Sequence, residues 1–104
     1  MRQRMQEKCD LYDVPTYSLT GEESARKLGE IRALFVSRSS EENYSEDLSY
    51  AAETVHVLIP HRYAPNGGFV RGMSLTKNGA VYRMLTPVKL SRIWSVKCVR
   101  IHIG

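Results

Sequence analysis

The cysteines and histidines, the side chains most often found as metal ligands, nucleophiles and proton carriers, are few and scattered: Cys9, Cys98, His56, His61 and His102. No CxxC or HxxxH pair is present, so the short ligand spacings of structural zinc sites are missing. Cys98 and His102 are four residues apart. On a helix that spacing suits one ion; on a strand it separates them by about 13 Å at ~3.3 Å per residue, too far for an ion ~2 Å from each ligand. All three histidines follow Glu53, beyond which the sequence has no Asp or Glu, so a catalytic triad would have to draw its acid from the first half. No local nucleophile signature is present. These observations lead us to expect a protein that is not an enzyme and holds no metal and no cofactor. The two cysteines read as reduced, buried thiols.

Two short stretches imitate nucleotide- and RNA-binding motifs. "GGFVRGMS", Gly67 to Ser74, has the G-x4-G-x-S skeleton of a phosphate loop, but Met73 stands where the lysine belongs. No helix start follows to receive the phosphate. The same glycines and Phe69 resemble an RNA-reading strand without its second aromatic or its βαββαβ surroundings. A loop entering a hairpin is the simpler reading. The residues best suited to a macromolecular contact are basic: Arg83, Lys89, Arg92, Lys97 and Arg100.

Those residues belong to a sharply divided chain. The formal charge is +4, yet all 11 acids lie at or before Glu53. The first 53 residues hold seven Lys/Arg against those acids, a net −4; the last 51 hold eight Lys/Arg and no acid, a net +8. Such asymmetry bears on partners and association rather than on fold. It fits a basic face that grips nucleic acid, or a basic seam that meets an acidic neighbour. For the second, Lys97 and Arg100 are expected to face partner protein.

The elements that position these groups are mainly strands. The 104 residues suffice for one domain with one modest core. No apolar run approaches the ~18 residues of a membrane span, and "MRQRMQEKCD" lacks the apolar stretch of a signal peptide, so the chain is expected inside a cell and away from membranes. "MQEKCDLY" reads as a first strand. Thr20 and Glu23 have capping-box spacing, which predicts a short helix closed by Gly29. Ile31, Ala33 and Phe35 alternate as in a strand. Ser39 and Glu42 repeat the capping spacing at the head of an acidic excursion over 37–53, either a short helix or a loop. Val55, Val57 and Ile59 alternate up to Pro60, a strand terminator. Asn78-Gly79 supplies the positive φ angles of a tight hairpin, with Val81, Arg83 and Leu85 on one face and "TPVKL" interrupting. In the last strand Trp94, Val96 and Cys98 share a face, after which Val99, Ile101 and Ile103 take the apolar phase. That predicts a bulge near Cys98–Val99, or a strand half-buried on both faces. The expected fold is a small β-barrel or sandwich with one or two short helices or a long excursion loop.

The order of these features resembles the small head–tail joining (head-completion, or stopper) proteins of tailed bacteriophages. The matching pieces are "IRALFV" around Ala33, the excursion with Glu42, "TVHVLIPHRY" from Thr54, "GMSL" from Gly72, "NGAVYRML" with Gly79 and Tyr82, and the last strand with Cys98. "SARKLGEI" stands where the family has a Trp, and "TPVKLSRIW" is unusually basic, so a tail terminator or adaptor stays open beside a stopper, as does a small basic nucleic-acid-binding barrel. The resemblance implies a β-barrel in the virion neck, assembled in the host cytoplasm into a homo-oligomeric ring (a dodecamer if like the family). Its partners would be a portal or adaptor ring, a tail or tail-terminator protein, and double-stranded DNA passing through the channel. It also implies that the excursion projects into that channel; Glu41, Glu42, Asn43, Tyr44, Glu46 and Asp47 would then face DNA, where acids repel phosphate and let it slide.

Overall fold

The computed structural model describes residues 6–39 and 53–101. Six strands close an antiparallel barrel: β1 (Glu7–Tyr12), β4 (Lys27–Ser39), β5 (Thr54–Pro60), β8 (Ile93–Ile101), β7 (Ala80–Lys89) and β6 (Ser74–Lys77), in that order around the wall. Two two-residue strands, β2 (Thr16–Tyr17) and β3 (Glu23–Ser24), form a hairpin arm outside it. The one helical element described is a 3₁₀ turn, His61–Tyr63.

Alternation dictates the core. Cys9 and Leu11, Ile31 and Ala33, Val55, Val57 and Ile59, Leu75, Tyr82 and Met84, and Val96 and Cys98 are all buried, one face of each strand, as a small barrel filled by its own side chains requires. Phe69 and Met73 come from the loop before β6 and are also buried. The expected first strand, the Ala33 strand, the Val55–Ile59 strand and the Asn78-Gly79 turn are all present, with Asn78 and Gly79 at φ 52° and 79°.

Five expectations need correction. The helix after Thr20 is the β2–β3 arm. Ser18 makes the difference: its Oγ accepts hydrogen bonds from the Glu22 and Thr20 N–H groups at 3.1 and 3.3 Å. Its own N–H donates to the Glu22 carbonyl at 2.9 Å. The hydroxyl chemistry that suggested a helix cap closes a turn, and the segment offers no apolar stripe by which a short helix could be held. Gly29 then lies within β4, opposite Leu11. "TPVKL" does not interrupt: β7 continues to Lys89, with Pro87 opposite Val96. Beyond Arg83 it is laddered to β8 but no longer to β6, so the proline removes little from the sheet. The bulge lies at Leu85, between Met84 and Thr86 of β7; β8 itself pairs with β5 without a slip from Pro60↔Ile93 to Thr54↔Val99. It is therefore the two-sided reading of β8 that holds. The core face of β7 is Tyr82 and Met84, while Val81 and Arg83 lie on the other face. Finally, the head of the expected excursion, 37–39, is instead the end of β4, where Ser39 pairs with Thr54 and caps no helix; residues 40–52 and Ile103 lie outside the described residues.

Candidate functional site

The registers give the barrel two ends. At one end stand the β6–β7 turn, the exits toward 40–52 and Arg100; at the other stand Tyr12, Lys27, Pro60, Ser74, Lys89 and Ile93.

The first end is closed by charge on aromatics. Lys77 Nζ lies 3.9 Å from the Phe35 ring centroid and 5.8 Å from that of Tyr82, and donates to Glu7 Oε2 at 2.9 Å. Phe35 and Tyr82 pack tilted at 5.2 Å between centroids. The ammonium thus joins a carboxylate to two π faces while its stem covers the core. Arg100 Nη1 stands 3.8 Å from Glu53 Oε2.

The second end carries a cleft of about 410 Å³ lined by His61, the loop Ala64 to Gly68, Lys89 and Trp94. The 3₁₀ turn and that loop form because Pro60 stops β5 and Gly67, Gly68 and Gly72 take φ of 87°, 81° and 100°. Trp94 is pinned edge-on by Phe69 at 5.4 Å and 84° and by His61 at 6.5 Å. His61 Nε2 in turn lies 3.2 Å from the Ile93 carbonyl oxygen. A side chain on Gly68 would overlap the indole, so the glycine is what lets the loop lie on Trp94. Sequence reasoning set aside the phosphate-loop likeness of these glycines and read a loop entering a hairpin, but missed this role.

The five candidate basic residues are not brought into one patch. Arg83 lies outside the barrel with Nη2 3.3 Å from Glu23 Oε1; its Nε is buried without a hydrogen-bond partner among the described residues. Arg100 sits at the first end. Lys97 is laddered between His56 and Thr86 on the outer wall. Lys89 lines the Trp94 cleft, and Arg92 is exposed in the adjoining turn. The acidic set Glu41 to Asp47 lies outside the described residues.

No metal-ligating cluster forms among the described residues. Burial pushes the Cys9 thiol up to about 12. Burial and, next, the neighbouring Cys9 push Cys98 up to about 12 as well. Both are unbridged, neutral and poor nucleophiles. What the geometry offers is surface: a half-open aromatic cleft, a protruding arm and mixed charge.

No protein-family model matches the chain, and no curated protein matches its sequence. Solved structures do. A chain from the virion of a native gene transfer agent particle superposes with a TM-score of 0.66 at 17% identity, covering 96% of this chain and 98% of its own. The phage-like element PBSX protein xkdH from Bacillus subtilis gives 0.57 at 16% identity, covering 95% and 96%. The barrel is one that phage-like particles use. At these identities the likeness shows the fold, and over nearly the whole chain it is the fold that the head–tail joining resemblance implied.

Proposed function

We propose that this chain is a structural, non-enzymatic subunit of a phage-type virion. Specifically, it forms a homo-oligomeric ring in the neck, between the portal or adaptor of the DNA-filled head and the tail, and continues the DNA channel. The observation that carries this is the end-to-end superposition on a chain of a gene transfer agent virion, 96% of one on 98% of the other. A bare barrel of this size, with inert thiols, suits a building block. The head–tail joining resemblance implies that the excursion faces the channel, and its acids, which would repel phosphate, are compatible with that. The test is genetic. Particles assembled without the chain should accumulate as filled heads and separate tails, and the chain supplied afterwards should join them. Normal joined particles in its absence would refute the proposal.

A further inference from the structure

The β2–β3 arm is unlike the rest of the surface. Leu19 at its tip is 109% exposed and Tyr17 is 64% exposed, so among the described residues the Leu19 side chain is left uncovered. From Asp13 to Ser24 the arm carries three acids, Asp13, Glu22 and Glu23, and no basic residue. Its base is anchored on both strands, Glu23 to Arg83 on the return and Val14 beside Gly72 on the way out. An apolar tip on a charged arm serves an arm that is covered when the protein works.

The Trp94 cleft has the opposite character. Its volume of about 410 Å³ falls within the ~300–1,000 Å³ of binding clefts. Its wall is the indole and Pro65, and its rim is Lys89, with Arg62 and Arg92 exposed nearby. The segments that build it, 60–73 and 89–94, contain no acid. The arm springs from the β1–β4 connection and leans on the β7 wall at Arg83, while the cleft is framed by the β5 exit and the β7–β8 turn.

We infer that the arm of one copy docks in the Trp94 cleft of the next, with Leu19 against the indole and Glu22 facing Lys89. This rests on the self-association in the proposed function and names its two surfaces. The contact is heterologous: each copy gives an arm and receives one, which generates a ring when the rotation closes. The arm is smaller than the ~20–30 residues a side of a stable interface, so one contact is weak and closure or docking on a template strengthens it.

Trp94 is the sole tryptophan, so its emission reports the cleft. With rising protein concentration, emission should shift to the blue in step with self-association measured by sedimentation. Leu19→Asp should move both midpoints at least tenfold higher, and Leu19→Met should leave them in place. In parallel, Leu19→Cys chains mixed with Asn66→Cys chains should form an oxidised heterodimer, and Leu19→Cys mixed with Lys8→Cys should not. The buried native thiols stay out of this reaction. Self-association that ignores Leu19→Asp, with no specific crosslink, overturns the inference and leaves the ring reading standing. A chain monomeric at every concentration is crosslinked in assembled particles, where absence of the Leu19–Asn66 bridge overturns it too. A shift of Trp94 emission by a 30-bp DNA duplex at low salt, with no effect of Leu19→Asp on assembly, assigns the cleft to nucleic acid and overturns it as well.

Discussion

Replacing Gly68 by alanine separates backbone strain from a side-chain contact. The added Cβ would stand 2.6 Å from Trp94 Cη2 and 2.7 Å from Cζ2, and φ there is +81°. The indole cannot swing aside freely, because Phe69 and His61 hold it on two sides. A left-handed φ costs an L-residue roughly 1–2 kcal/mol. Forcing an aromatic out of place adds about 1–3 kcal/mol, and the stiffer unfolded chain returns ~0.4–1 kcal/mol. The expected net loss is about 1–5 kcal/mol, a large part of the ~5–15 kcal/mol that holds a domain together. Gly67 is the internal control: φ is +87° and a Cβ would meet nothing within 4 Å, so Gly67→Ala should lose only the backbone part, about 1 kcal/mol. Urea unfolding followed by Trp94 emission gives both stabilities, and the folded baseline shows whether the indole has moved toward water. Equal losses for the two variants, with unchanged native emission, would refute the claim that Gly68 exists to seat Trp94.

Other substitutions probe the remaining packing. Met84→Ala, at a fully buried position, should cost about 2–5 kcal/mol in denaturant unfolding. Glu7→Gln removes the carboxylate from Lys77 Nζ and leaves the two rings; with Glu7 half-exposed, the loss should be below about 1 kcal/mol and shrink in high salt. The thiols predict a pH dependence. Their folded pKa values of about 12 lie above the ordinary 9.0, so between these limits the unfolded state sheds protons that the folded state keeps. Their contribution is therefore complete below pH 9 and lost as pH rises toward 12, by up to ~1.4 kcal/mol per pH unit per thiol. Cys98→Ala should flatten that slope, and native protein at pH 8 should resist thiol reagents until unfolded.

The barrel wall was legible wherever local chemistry and tertiary need agree. Val55, Val57 and Ile59 alternate because one face of β5 is core, and Asn78-Gly79 turns because only such residues accept both positive φ angles cheaply. The misreadings fall where one local signal serves two ends. Ser18 and Thr20 can cap a helix or close a hairpin, and only the pairing of β1 with β4 decides. Pro87 and Leu85 look like the end of a strand until β6 is seen to stop opposite Arg83. Of the candidate site, sequence marked Lys89 and Arg92 but not the cleft beside them. That cleft depends on Gly68 meeting Trp94 across 26 positions of chain, a contact no local pattern encodes.

The charge division of the sequence changes meaning once the barrel closes. Lys77 with Glu7, Arg83 with Glu23 and Arg100 with Glu53 each join a base from the second half to an acid from the first. The closure of β6 on β1 makes the first, the arm folded onto β7 makes the second, and the approach of β5 to β8 makes the third. Part of the apparent dipole is therefore neutralised inside the subunit, and the net −4 and +8 of the two halves are not the charges its surface presents to a partner. What survives folding is local: an acidic arm with an apolar tip, and a basic rim around an aromatic cleft. Rim charges such as Lys89 govern encounter and register more than affinity. If the two surfaces meet, Lys89→Glu should slow association and blunt its salt dependence, whereas Leu19→Asp should shorten the lifetime of the contact once made.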